Sequence, residues 1–174
     1  MTPQPTTPSH GTDQSPGQGS EAAIEVRLRS RPIYLAGTRE LVVGLCRRLG
    51  FPEQVSGQIA LATDEALANV INHGYGRRPD GLIWLKLWPE SSPGVRGIRV
   101  VIEDEGEQID PEAIFGRDLD DVRPGGLGVH IMRQVMDHVR HEKRDPDGMR
   151  LTMSKALPDP AGEQDQQRES NASG

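Results

Sequence analysis

Apolar and polar positions alternate in the first strongly patterned stretch. Ile24, Val26 and Leu28 are separated by Glu25 and Arg27, the period of a half-buried strand. From about Pro32 to Leu49 the spacing changes to that of a helix, with Leu35, Leu41, Val42, Leu45 and Leu49 on one side and Gly50 as its stop. Pro52 suits a first helical turn, and Ile59, Ala62, Ala66, Val70 and Ile71 carry a second helix to about His73, ended by Gly74 and Gly76. Leu82–Trp88 and Ile98–Ile102 read as strands, joined by a turn-rich connector from Pro89 to Gly94. A polar turn follows from Asp104 to Asp110, then a short helix from Pro111 to Phe115 and a charged loop from Arg117 to Pro124. Gly125-Gly126 opens an apolar helix over Leu127–Val135. Val139–Lys143 and Met149–Ala156 read as two strands around a turn at Asp145-Pro146-Asp147-Gly148.

Short connections between most neighbouring strands predict antiparallel pairing. The element order therefore predicts an α/β two-layer sandwich: a mixed, mainly antiparallel sheet with helices on one face, and not a doubly wound parallel sheet. The 174 residues suit one domain. Residues 1–22 and 158–174 are rich in Pro, Gln, Ser, Gly, Asp and Glu, and hold too little apolar surface to offset the entropy of ordering them. They are expected to be disordered tails around a domain at 23–157.

Charge and cysteine content remove several classes of function. With 20 Lys and Arg against 26 Asp and Glu, the formal net charge is −6, which repels a phosphate backbone and argues against direct nucleic-acid binding. No apolar run approaches the ~20 residues that span a bilayer, so no membrane segment is expected. No basic-then-apolar leader opens the chain, and the expected location is the cytoplasm. Cys46, the single cysteine, lies among Val42, Val43 and Leu45 and reads as a buried structural thiol.

Three segments carry candidate chemistry. In Asp64-Glu65-Ala66-Leu67-Ala68-Asn69-Val70-Ile71-Asn72-His73-Gly74-Tyr75, the residues Glu65, Asn69 and Asn72 fall at i, i+4 and i+7 on one helix face. A carboxylate and an amide oxygen one turn apart suit a magnesium site beside a base. A solvated helix face explains the same pattern. In the second segment Asp104-Glu105-Gly106 leaves an apolar strand. A carboxylate there can accept from an exocyclic amine such as that of adenine, and Gly106 allows close backbone approach. An acidic turn is the plainer account. In the third, Gly125-Gly126-Leu127-Gly128 opens a helix whose free N–H groups and dipole favour phosphate. A flexible loop entering a core helix is the plainer account here too. The loop is neither a Walker A sequence nor a dinucleotide fingerprint. His73, His130, His138 and His141 lack zinc-site spacing, and the last two read as surface residues near a strand.

In this order and spacing the three segments resemble the GHKL ATP-binding superfamily, and most of all the stand-alone anti-sigma-factor serine/threonine kinases. Glu65-Ala66-Leu67-Ala68-Asn69 with His73-Gly74-Tyr75 looks like the N box of that family. Asp104-Glu105-Gly106 looks like the G1 box, and Gly126-Leu127-Gly128-Val129-His130-Ile131-Met132 looks like the G2 box. The likeness spans about Ile24 to Leu157. It implies the Bergerat-type fold, with ATP and Mg as cofactors. It implies that Glu65 is the general base, that Asn69 holds magnesium and that Asp104 binds the adenine amino group. Gly106 would pass close to the base, and Gly126, Leu127 and Gly128 would line the phosphates. Arg117–Pro124 would form a short lid. The implied partners are a sigma factor, a small antagonist protein with an acceptor serine, and a second copy in a homodimer. Three positions depart from the family pattern. Gln108 stands where a second glycine is frequent, Met149 where threonine is frequent, and Pro124 where an arginine would precede the glycine run. These departures keep a second function in view, an ATP-gated partner-binding module with little or no phosphotransfer.

Overall fold

A computed structural model describes residues 22–92, 95–111 and 127–157. The expected tails (but for residue 22), the expected lid, most of the 111–115 helix, Gly125 and Gly126 lie outside them. Strand β1 (Ile24–Arg29) leads through a 3-10 turn (Pro32–Tyr34) into α1 (Leu35–Leu49) and α2 (Glu53–Asn69). The hairpin of β2 (Leu82–Ser92) and β3 (Val95–Asp104) follows, then α3 (Leu127–Val135), β4 (His138–Lys143) and β5 (Met149–Ala156). Gly50, with φ of 98°, occupies the left-handed cap position that ends α1, where a side chain would be strained.

Among the described residues five strands lie in the order β1-β2-β3-β5-β4, and their four pairings are antiparallel. The expected predominance of antiparallel pairing holds for every described pair. A parallel pair would arise if β4 lay beside β3. Instead the β4–β5 hairpin inserts β5 between them and sends β4 to the edge. The 89–94 connector is corrected. Pro89 pairs with Ile98 and Glu90 with Gly97, so the ladder runs through both breakers. Gly97 is required there, because a Cβ would run into the Lys155 carbonyl of β5.

One face of the sheet supplies the core. Ile83, Leu85, Leu87, Ile98, Val100, Ile102 and Met153 are almost wholly buried against Val42 and Cys46 of α1, Ile59 and Leu67 of α2, and Met132 of α3. Helix α2 packs between α1 and α3. Burial pushes the Cys46 thiol up to about 12, which suits a structural residue and not a nucleophile. The opposite face is covered by its own long side chains. Arg99 lies 4.7 Å over the Trp88 ring, and Glu103 takes Lys86 at 2.8 Å and Arg150 at 2.7 Å. Burial alone would raise the Glu103 carboxyl, yet the two cations hold it below the ordinary range. None of the described helices is long and apolar enough to cross a membrane.

Candidate functional site

Glu65 and Asn69 project half-buried from the last two turns of α2. The helix then widens into a π-turn over Val70–Gly74, with the Tyr75 N–H donating to the Val70 carbonyl at 2.9 Å. This widening rotates the chain away from the α-helical face. Asn72, expected beside Asn69, is exposed and accepts from Arg77 Nε at 3.2 Å. The start of α3 meets the α2 pair. A Cβ on Gly128 would stand 2.7 Å from Glu65 Oε2 and 3.4 Å from Asn69 Nδ2. Gly128 leaves the carboxylate and amide in place, where a side chain would displace the end of Glu65.

The Asp104 turn closes on the π-turn that continues the same end of α2. Gly106 rests on the Gly74 carbonyl, which a Cβ would approach to 2.5 Å, and the Glu107 N–H donates to that carbonyl at 2.9 Å. Asp104 is 2% exposed, on the helix side of β3. Its carboxylate accepts from the Gly106 N–H at 2.7 Å and from the Met149 N–H. Burial raises its carboxyl above the ordinary range, opposed by those two N–H groups and by the Arg144 charge. Met149 thus contributes through its backbone at the position where family members often carry threonine.

Arg144, which was not singled out from the sequence, and Gln108, Gly148 and Tyr75, which were named there without these contacts, tie this region together. Arg144 donates to the Asp104 carbonyl at 2.5 Å and stacks 5.2 Å from the Trp84 ring. Gln108 donates to the Arg144 carbonyl at 2.5 Å, so the residue in place of a glycine latches the turn to the β4–β5 hairpin. Gly148, with φ of 86°, is pressed against the Asp104 carbonyl. The Tyr75 hydroxyl donates to the Leu82 carbonyl at 2.5 Å and accepts from the Glu105 N–H at 2.8 Å. The sequence signal for it was its place after His73-Gly74 in the N-box likeness, which gave it no role.

His141 is corrected. The β4 alternation turns it with Val139 toward the helices, so it is half-buried and not a surface residue. Burial, with Arg133 nearby, pushes its pKa down to about 4. Among the described residues no group of three or more His, Cys, Asp or Glu is placed to hold a metal. Oxygen donors of the Glu65 and Asn69 kind fit a magnesium ion held mostly by water and phosphate. A groove of about 460 Å³ between β1 and α1, lined by Val26, Leu28, Tyr34 and Leu41, shares no residue with this site.

An antiparallel α/β sandwich in which a strand-end carboxylate, a polar helix face and a helix-start glycine converge is the GHKL arrangement. The histidine kinase-like ATPase domain family matches residues 28–155, and the chain belongs to it. It is 26% identical over 142 residues to the serine-protein kinase RsbW of Oceanobacillus iheyensis, covering 77% of this chain and 86% of that one. The RsbW of Bacillus subtilis is 25% identical over the same length, with 77% and 85% covered. The anti-sigma F factor of Clostridium novyi is 31% identical over 103 residues, with 57% of this chain and 69% of that one covered.

Proposed function

We propose that this chain binds ATP with magnesium in the cytoplasm and transfers the terminal phosphoryl group to a serine of a small antagonist protein, alternating that reaction with the holding of a sigma factor. The observation that carries the reading is the contact of Gly128 with Glu65 and Asn69, which brings a phosphate-favouring helix start onto a carboxylate–amide pair. The names of the relatives, serine-protein kinase and anti-sigma F factor, support the protein substrate and the sigma-factor partner.

In this reading Asp104 accepts a hydrogen bond from the adenine amino group, and Gly106 leaves room for the ring. Gly126, Leu127 and Gly128 are the phosphate-binding residues of this reading, where the α3 dipole adds a favourable field. Asn69 offers its amide oxygen to magnesium, and Glu65 takes the proton of the serine hydroxyl. Magnesium when bound neutralises charge on the phosphates. The bond from the serine oxygen to phosphorus forms, the bond to the bridging oxygen of ADP breaks, and ADP leaves. The test mixes the protein with labelled ATP, magnesium and a candidate antagonist encoded beside its gene. Label is expected on the antagonist serine and is lost in Glu65→Ala. ATP binding without transfer to any such antagonist would overturn the kinase reading in favour of an ATP-gated binding module.

A further inference from the structure

Tyr75 lies outside the groups that touch nucleotide in the reading above, yet it holds both halves of the site. Its ring is 4% exposed, and Gly81 must be glycine to admit it, since a Cβ there would stand 2.5 Å from the ring. The π-turn brings it to this place. An α-helical continuation of α2 would end one residue out of phase and point the ring elsewhere. The hydroxyl uses its donor on the Leu82 carbonyl at the start of β2 and its acceptor on the Glu105 N–H. Glu105 directly follows Asp104, and Asp104 sits opposite Ile83, one residue from Leu82. A single hydroxyl therefore ties the end of α2 to the start of β2 and to the residue that follows Asp104 at the end of β3.

That tie sets a direction. The Asp104 side chain is held by the Gly106 N–H, and the orientation of the 105–106 peptide units depends on where the Glu105 N–H is pinned. We propose that Tyr75 is a positioning residue for base selection: its hydroxyl fixes the Asp104 carboxylate in the direction that accepts an exocyclic amino group. The inference rests on the reading of Asp104 as the adenine-binding residue. Burial keeps the phenol protonated at neutral pH, so the donor to Leu82 is retained.

The test compares equilibrium binding of ATP and of purine riboside triphosphate, which lacks only the amino group, to the full chain with magnesium. A hydrogen bond to a charged group should give the wild type a preference for ATP of roughly tenfold or more. Tyr75→Phe keeps the ring and is expected to lose most of that preference by weakening ATP while leaving the analogue within about twofold. Glu105→Pro removes the same hydrogen bond from its other side, with Tyr75 untouched, and decides the matter if Tyr75→Phe does not fold. It should show the same selective loss. In Asp104→Asn the added Tyr75→Phe change should cost no further preference. A retained preference in the folded variants, or equal loss for both ligands, would make Tyr75 a packing residue and overturn the inference. A wild type that binds neither ligand, or both alike, would instead remove the adenine reading of Asp104 before any variant is made.

Discussion

Gly128 shows how one missing side chain shapes the candidate site. Its neighbour in Gly128→Ala would be the far end of the flexible Glu65 side chain, so the fold can yield at small cost while the carboxylate cannot keep its place. The expected outcome is a melting temperature within a few degrees of wild type and a loss of phosphotransfer of about tenfold or more, read by thermal melts and the labelled-ATP assay. Glu65→Gln should retain ATP binding and lose transfer by roughly 10²–10⁴-fold, the range of a removed general base. His141 supplies a pH effect. It binds its proton near 6.5 when unfolded and only at about 4 when folded, so the unfolded chain holds more protons across that window. The stability this group supports is complete above pH 6.5 and is lost as pH falls toward 4. Denaturant unfolding at pH 7.5 and 5 should show His141→Leu losing about 1–2 kcal/mol less than wild type over that interval. Asp64 and Asp104, raised by burial, act in the opposite sense and are shared by both proteins, so they cancel in the comparison.

Among the elements, those with a clean period were legible in the sequence. The alternation of Ile24, Val26 and Leu28, the helical spacing through α1 and the apolar run of Ile98–Ile102 each point to one structure, because burial on one side leaves one answer. The reach of the hairpin was not legible, since Pro89 and Gly97 are breakers by composition and are held in the β2–β3 ladder, with β5 packed against Gly97, by pairings no local pattern records. The π-turn was not legible either. It goes with Gly106 seated on Gly74 and the Tyr75 hydroxyl bound to Glu105 and Leu82, which no local pattern records. Of the candidate site, Glu65, Asn69, Asp104, Gly106 and Gly128 were singled out by residue type and spacing, and the structure gathers them along the last turns of α2 and the π-turn that follows. Arg144 was missed, and Gln108 was seen only as a departure from the family pattern, because both act through backbone carbonyls distant in sequence. The hairpin turn that they latch yields its own prediction. Gly148→Ala places a Cβ against the Asp104 carbonyl at a left-handed φ, where backbone and not a flexible side chain must move. A loss of about 2–4 kcal/mol is expected in denaturant unfolding, with ATP affinity falling in whatever folded fraction survives.

At the scale of the whole molecule, one sheet face holds the helices and the core, and the site lies where α2, the end of β3 and the start of α3 meet. Helix α2 is central in both senses: it packs between α1 and α3, and it carries Glu65 and Asn69 at one point and Gly74 against the Asp104 turn at the next. A ligand with phosphates at Gly128 and an amino-bearing base at Asp104 would span that helix end. The most direct measurement is calorimetric titration of ATP with magnesium into the wild type, Asp104→Asn and Asn69→Ala. The account predicts one site per chain in the wild type and an affinity lower by tenfold or more in Asp104→Asn. In Asn69→Ala, binding should lose its dependence on magnesium. Absence of binding to the folded wild type, or equal affinity in all three proteins, would contradict it.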